Sequence, residues 1–305
     1  SISDLQRLVK SGSCRLDIGA VGNVGPGAWL DVSAGTARLL ADGGSHLSVS
    51  TAANLEFDTS QDLAALVVAD GGVARLATGG RRVLSVQSLS IAPRGSVDIT
   101  DNGLRVATAG KPELAAAMLG YLRAGRKLGW WDGLGGVTSS LAAQDAELLT
   151  GLGGGLNNYG LGDMLNLYLF DVAVVPTDFV LRYTYSGDIN LDGIVDALDY
   201  ELIDLSYSNT DYFAGDLNLD GHIDGDDYAI LDNSFNFQGQ PLGVRADLGV
   251  APLSAGAPRP LVDTPAAAAP LVKDSAGPSG LAAFSPVFAD RNATDPQPAS
   301  TATSW

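Results

Sequence analysis

Cysteine and histidine are almost absent from this sequence, and each absence excludes a class of chemistry. Cys14 is the only cysteine, so the chain can form no intrachain disulfide and no zinc site built on cysteine thiolates. The only histidines are His46 and His222. A histidine-based catalytic triad would have to use His46, and no motif around a serine or cysteine supplies the nucleophile. The sequence therefore gives little support for catalysis.

Long apolar runs are also missing. No stretch of about 18 apolar residues occurs, so the sequence predicts no transmembrane helix. No signal-peptide pattern follows Ser1, and the chain does not open on methionine. We therefore expect a fragment or a processed form of a longer protein.

Lysine and arginine are absent from residues 183–244, although this segment carries 13 of the 35 acidic residues. The segment accounts for most of the net charge of −17. Nucleic-acid binding needs a basic surface, so this charge argues against a nucleic-acid partner.

One pattern is written twice within the acidic segment. It reads Gly-Asp-Ile-Asn-Leu-Asp-Gly-Ile-Val-Asp-Ala-Leu-Asp-Tyr from Gly187 and Gly-Asp-Leu-Asn-Leu-Asp-Gly-His-Ile-Asp-Gly-Asp-Asp-Tyr from Gly215. Calcium takes about six to eight oxygen ligands, which a loop of about 12 residues supplies from positions 1, 3, 5, 7, 9 and 12. Gly193 and Gly221 fall at position 6, where such a loop turns sharply. The repeat therefore predicts two calcium sites, and two full matches disfavour the alternative of a solvated acidic surface.

The predicted ligands are the oxygen-bearing groups at those positions. In the first loop they are Asp188, Asn190, Asp192, the carbonyl of Ile194, Asp196 and Asp199. In the second loop they are Asp216, Asn218, Asp220, the carbonyl of His222, Asp224 and Asp227. We expect Val195 and Ile223, at position 8, to pair the two loops.

A short helix is predicted after each loop, and both helices carry the same apolar face at equivalent positions of the repeat. This shared face consists of Tyr200, Ile203 and Tyr207 on the first helix and of Tyr228, Leu231 and Phe235 on the second. A second stripe occurs on the first helix only and consists of Leu198, Leu202 and Leu205. We predict that this stripe contacts a partner, either the preceding domain or another protein.

Residues 1–180 are predicted to form a mainly β domain. Four pairs of apolar residues recur along it at similar intervals, and they are Leu30 and Val32, Leu47 and Val49, Leu66 and Val68, and Leu89 and Ile91. A repeat of roughly 20 residues favours a β-solenoid, and an antiparallel β-sandwich is the alternative. Ala-Asp-Gly-Gly occurs at 41–44 and at 69–72, and we interpret both copies as lying at the same phase of the repeat.

The connection to the acidic segment is predicted from local patterns. A helix over 111–125 should flank the β-core, and strands over 164–175 and 178–185 should lead into the first loop. For Trp130 and Trp131 we favour burial, with stacking on a sugar ring as the alternative. The glycine-rich residues 136–163 are interpreted as a flexible crossing.

The chain thus divides into a solenoid-like domain over 1–180, a calcium module over 181–240 and a tail over 241–305. Nine of the 14 prolines lie in residues 251–305, so disorder is predicted for the tail.

Two calcium loops that are each followed by a helix, with a strand rather than a helix before the first, resemble the type I dockerin module. The resemblance covers about residues 187–240 and implies two calcium ions, a pseudo-two-fold pair of loop–helix units and a secreted setting. It also implies attachment to a cohesin-like or cell-surface partner. Loop positions 10 and 11, often Ser-Thr in that family, hold Ala197-Leu198 and Gly225-Asp226 here. The β-rich region is similar to the autotransporter-type β-strand repeats of bacterial surface proteins.

The leading interpretation is a non-catalytic secreted or cell-surface protein whose dockerin-like module binds two calcium ions and serves stability and attachment. The alternative is the C-terminal, non-catalytic part of an extracellular polysaccharide-degrading enzyme. Glu56 and Asp58 could form a carboxylate pair on one strand face, but ordinary surface charge explains them better.

Overall fold

The computed structural model describes residues 6–19, 24–109, 111–158, 166–205 and 211–243. These residues belong to one compact unit that spans Ser1–Ser254. Tyr207, residues 159–165 of the glycine-rich crossing and nearly all of the expected tail lie outside the described residues.

Strands dominate the described residues. In chain order they are β1 (Arg7–Lys10), β2 (Arg15–Ile18), β3 (Ala28–Val32), β4 (Thr36–Leu39), β5 (Leu47–Thr51), β6 (Asn54–Phe57), β7 (Gln61–Leu63), β8 (Ala65–Val68), β9 (Val73–Leu76), β10 (Val83–Val86), β11 (Leu89–Ile91), β12 (Ser96–Asp98), β13 (Gly103–Ala107), β14 (Gly136–Thr138), β15 (Thr150–Leu156), β16 (Tyr168–Leu169), β17 (Val172–Ala173) and β18 (Asp178–Tyr185). The α-helices are α1 (Pro112–Arg126), α2 (Ala197–Leu205) and α3 (Gly225–Phe237). Short 3-10 turns occur at Lys127–Gly129, Ala142–Gln144 and Tyr212–Ala214.

The strands stack as a parallel β-solenoid of about five turns with three sheets around one core. One sheet has the order β1-β3-β5-β8-β11, the second has the order β14-β12-β9-β6-β4-β2, and the third contains β7, β10 and β13. The solenoid prediction is therefore confirmed. The β-sandwich alternative is wrong, because these neighbouring strands pair in parallel.

The register at β5 differs by two residues from the one that the sequence spacing suggested. The spacing aligned Leu47 with both Leu30 and Leu66, whereas in the fold Val49 lies opposite Leu30 on one side and opposite Leu66 on the other. The expected alignment of Leu66 with Leu89 is confirmed. A shift of two residues keeps every side chain on the same strand face, so alternation alone does not detect it. The two Ala-Asp-Gly-Gly copies also lie at different corners, one between β4 and β5 and one between β8 and β9.

A row of alternating charges crosses five strands of the second sheet at one register position. The row consists of Asp17, Arg38, Glu56, Arg75 and Asp98. Arg75 lies 3.1 Å from Asp98, and Arg38 also pairs with Asp58 at 2.5 Å. Opposite charges on adjacent strands favour this register over a slipped one. The pairing with Arg38 gives Glu56 and Asp58 a structural role on this face.

Helix α1 covers the last turn of the solenoid, as the sequence predicted. Pro112 occupies the first turn, and Met118 and Leu122 are fully buried. The Tyr121 hydroxyl accepts a hydrogen bond of 3.2 Å from the Ile91 amide at the end of β11. The helix therefore satisfies a donor that the exposed edge of the first sheet would leave unpaired.

The glycine-rich segment is ordered where the structure describes it, so the interpretation of residues 136–163 as a flexible crossing is wrong there. Strand β15 pairs antiparallel with β18, which in turn pairs antiparallel with β13. The three glycines on one face of β15 each meet an aromatic ring: Gly151 meets Trp131, Gly153 meets Tyr212 and Gly155 meets Phe213. The lack of side chains at these positions lets the rings lie directly on the strand. Trp131 is buried as favoured, whereas Trp130 is half exposed.

The two strands predicted before the first loop have different outcomes. The strand over 178–185 is confirmed as β18. In place of the strand over 164–175, the described residues show the short antiparallel pair β16 and β17. Among the helices of the described residues, none has the length and apolar character needed to cross a membrane.

Candidate metal centre

The first acidic loop begins directly after a strand of the third sheet. Strand β18 ends at Tyr185, Gly187 turns the chain with a φ of 108°, and Asp188 follows at loop position 1. The second loop follows the 3-10 turn Tyr212–Ala214, and Gly215 turns the chain with a φ of 107°. The first loop is thus entered from a strand, as the sequence predicted.

The two loops adopt the same backbone conformation. At position 4, Leu191 and Leu219 have φ values of 61° and 63°. At position 6, Gly193 and Gly221 have φ values of 100° and 94°. The left-handed conformation costs a residue with a side chain roughly 1–2 kcal/mol. Each leucine keeps it because the hydrogen bonds around it fix the path of the loop.

Side-chain oxygens from positions 1 and 3 converge on one backbone amide in each loop. The Asp192 amide donates to Oδ1 of Asp188 at 3.0 Å and to Oδ1 of Asn190 at 2.9 Å. In the second loop the Asp220 amide makes the same bonds, to Asp216 at 3.0 Å and to Asn218 at 2.8 Å. Two predicted ligand oxygens are therefore held side by side in each copy.

The carboxylate at position 12 closes each loop. Asp199 accepts hydrogen bonds of 2.8 Å from the amides of Ile189 and Asp196. Asp227 accepts equivalent bonds from Leu217 at 2.8 Å and Asp224 at 3.0 Å. The last predicted ligand is thereby brought back against the start of its loop.

The remaining predicted ligands lie at the loop surface. Asp192 and Asp220 are exposed and accept from the amides of Ile194 and His222 at position 7. At position 9, Asp196 and Asp224 accept from the first turns of α2 and α3. The side chain of His222 is exposed, which agrees with a role for its carbonyl only.

Four predicted ligands are buried carboxylates without a cation at ion-pair distance, although Arg126 acts electrostatically on Asp216 and Asp227. Asp188, Asp199, Asp216 and Asp227 are at most 1% exposed, and no ion pair among the described residues includes them. Burial raises the pKa of Asp188 to about 7 and that of Asp199 to about 6, and it also raises the pKa of Asp216. Arg182 acts on Asp188, but its guanidinium donates to backbone carbonyls. Buried anions without a close counter-charge are costly.

The donor atoms fit a hard cation, although they do not form a ready cluster of charged side chains. Across the described ranges, no three Asp, Glu, His or Cys side chains are gathered as metal ligands. Each predicted set instead includes an asparagine and a backbone carbonyl beside its carboxylates. A carboxylate oxygen that accepts one hydrogen bond keeps a further lone pair, and calcium prefers such oxygens.

The two loop–helix units contact each other reciprocally. Tyr228 Oη donates to Asp204 at 2.6 Å, and Tyr200 Oη donates to Asp232 at 2.5 Å. Gly187 lies against Leu231, and Gly215 lies against Ile203. The two contacts in each pair are equivalent, because Tyr200 and Tyr228 occupy the same position of the repeat, as do Asp204 and Asp232. Such reciprocity is the property of a two-fold arrangement. The two predicted helices are confirmed as α2 and α3, and Ile203 and Leu231 of the shared face are buried, whereas Phe235 is 48% exposed.

Position 8 does not pair the two loops. The backbone of Val195 instead donates to Oε1 of Gln238 at 2.7 Å and accepts from Nε2 of the same side chain at 2.5 Å. The expected pairing of Val195 with Ile223 is therefore wrong, because the residue after α3 occupies this place. Nothing in the spacing of the repeat identifies Gln238.

The predicted partner stripe is only partly available at the surface. Leu198 and Leu205 are 53% and 61% exposed, whereas Leu202 packs against the core. Two residues that the sequence did not single out contact the first loop. The Thr184 hydroxyl donates to the Asp188 carboxylate, and the buried Tyr212 hydroxyl donates to the Asp188 carbonyl at 3.0 Å.

Comparisons of the chain with protein-family models, with curated proteins and with solved structures found no match. The functional argument therefore rests on the geometry of the loops.

Proposed function

We propose that residues 187–237 form a dockerin-like module that binds two calcium ions within a non-catalytic secreted or cell-surface protein. One observation carries the proposal: both loops bury a pair of carboxylates that form no ion pair among the described residues, while holding the same backbone conformation and hydrogen bonds. Unrelated acidic turns would have no physical reason to repeat this arrangement at equivalent positions of a sequence repeat.

Each ion would be held by six of the twelve predicted ligands. Asp188, Asn190, Asp192, Ile194, Asp196 and Asp199 would hold one ion, and Asp216, Asn218, Asp220, His222, Asp224 and Asp227 would hold the other, with Ile194 and His222 contributing carbonyls. Each ion would supply positive charge to its buried carboxylates and no reactive group. The module therefore serves stability and attachment.

The secreted setting is part of the same proposal. Extracellular calcium at about millimolar concentration saturates even weak loops of this type. The exposed part of the leucine stripe, Leu198 and Leu205, is the surface that we assign to a cohesin-like or cell-surface partner.

Calorimetric titration of the whole chain with calcium tests the proposal. We expect two ions per chain, one ion for Asp220→Asn, and two ions for the control Asp226→Asn. Asp220 and Asp226 are both exposed acidic residues of the second loop, but only Asp220 is a predicted ligand. Absence of calcium binding by the unmodified chain, or equal loss in both variants, would contradict the assignment.

A further inference from the structure

Each acidic loop receives a hydrogen bond from an arginine of the β-domain, at the same loop position. Arg182, on β18, donates through Nη1 to the carbonyl of Leu191. Arg123, on α1, donates through Nε to the carbonyl of Leu219 at 2.8 Å. Leu191 and Leu219 both occupy position 4, yet the two arginines come from a strand and a helix that share no repeat.

Position 4 is one of the two positions in each loop where the backbone has a positive φ. Leu191 and Leu219 have left-handed backbone conformations, and each lies between the ligand positions 3 and 5. The orientation of the position 4 carbonyl fixes the peptide that joins it to the Asp192 or Asp220 amide. That amide is the donor on which the ligand oxygens of positions 1 and 3 converge.

The same arginines connect the loops to the end of the solenoid. Strand β18, which carries Arg182, is hydrogen-bonded between β13 and β15. Arg182 also donates to the carbonyl of Leu242, whose amide donates to Gly193 of the first loop at 2.9 Å. Arg81 donates to Gly243 at 2.7 Å. Helix α1, which carries Arg123, packs on β14 at the last turn.

We propose that Arg182 and Arg123 are positioning residues for the two calcium loops, and that through them calcium binding stabilises the C-terminal turns of the β-solenoid. This inference rests on the calcium binding proposed above. A solenoid is stabilised by contacts between neighbouring turns and by the elements that cover its ends. The loops are hydrogen-bonded to β18 and to α1, which pack at the C-terminal end, so an ion that holds a loop closed would also hold the last turns.

Amide hydrogen exchange of the whole chain, with calcium or with EDTA, measures this coupling. If the last turns open only together with a loop, exchange slows by roughly 100-fold for one site held at 100 times its dissociation constant. We expect this slowing in β13, β15 and β18. The effect should decrease toward β1, because each turn contacts only its neighbours.

Arg123→Met distinguishes positioning from simple charge. Removing a positive charge near a cation would strengthen calcium binding, whereas losing the contact to Leu219 should weaken it at the second loop by roughly 10-fold, as for other outer-shell partners. Arg123→Lys should restore part of the affinity, since it keeps a donor. Arg123 is exposed, so these changes should not prevent folding. Arg94→Met, on the outer surface of the solenoid, is the matched control.

The outcomes separate this inference from the proposed function. Calcium binding that leaves exchange in β13, β15 and β18 unchanged would overturn the inference alone. Equal or tighter calcium binding by Arg123→Met would overturn the positioning role. A chain that binds no calcium would overturn both the inference and the proposed function. Slower exchange with calcium, together with weaker binding by Arg123→Met and recovery in Arg123→Lys, would support the inference.

Discussion

The contact between β15 and the turn before the second loop can be tested with a single substitution, because it requires a glycine, which has no side chain, on β15. Gly153 lies under the ring of Tyr212, and a Cβ at this position would lie 2.7 Å from Cζ and 2.9 Å from Cε1 of that ring. Tyr212 is buried, and its hydroxyl donates to the carbonyl of Asp188 at 3.0 Å. In Gly153→Ala the ring must therefore move away from both β15 and the first loop.

Two effects set the size of the loss. Inserting a methyl group into a packed interior costs about 1–3 kcal/mol. Losing the hydrogen bond from Tyr212 to Asp188 adds about 0.5–1.5 kcal/mol. We expect the free energy of unfolding to fall by about 2–4 kcal/mol in Gly153→Ala, with weaker calcium binding at the first loop.

Urea unfolding at saturating calcium measures the change, with Gly120→Ala as control. Gly120 lies in α1, where an added methyl group would meet no atom within 4 Å, so alanine there should be neutral or stabilise by up to about 1 kcal/mol. Tyr212→Phe removes the atom nearest to the new methyl group, so the double variant should lose less than the sum of the single losses. An unfolding midpoint of Gly153→Ala equal to that of the unmodified chain would refute the packing argument.

Two further perturbations test the electrostatics of the loops and of the solenoid. In EDTA, thermal unfolding should show that the stability of the chain rises as the pH falls from about 8 to 5. The reason is that Asp188 and Asp199 have folded-state pKa values of about 7 and 6, above the ordinary 3.8, so both carboxyl groups take up protons on folding. Falling stability over this pH range would contradict the buried-carboxylate argument. Arg75→Glu places a third negative charge between Glu56 and Asp98. Urea unfolding should therefore show that the free energy of unfolding falls by about 1 kcal/mol at low salt and by less at high salt. A loss that does not depend on salt would contradict the role of the charge row.

The features that were predictable from the sequence depend on short-range spacing. Loop positions 1, 3 and 12 were recognisable as candidate ligands because ligand type and turn geometry are set within one short loop, and in the structure these residues hydrogen-bond within their own loop. The solenoid was predictable for a similar reason, since apolar alternation recurs once per turn. The register of the solenoid was not predictable. Leu47 and Val49 lie on the same face of β5, so either residue fits the apolar alternation as the partner of Leu30, and in the fold the partner is Val49.

Features that depend on long-range contacts were not predictable. Gly151, Gly153 and Gly155 suggested flexibility by composition, whereas in the fold they make room for aromatic rings from distant segments. Gln238 and Arg123 reach the loops from elements whose placement no local pattern specifies. The sequence motif therefore predicts which atoms would hold an ion, whereas only the fold identifies the atoms that hold the loops in place.

The two loops are equal in their ligands but unequal in their surroundings. A Cβ on Gly193 would clash with the carbonyl of Leu242, whereas a Cβ on Gly221 would meet no atom within 4 Å. The first loop is enclosed between β18 and the segment after α3, so without the proposed ion the buried Asp188 would take up a proton or force those elements apart. The second loop is open on that side. Duplication thus explains why the predicted ligand pattern occurs twice. Because the first loop is attached to the third sheet, we expect its closure to matter more to the solenoid than that of the second loop.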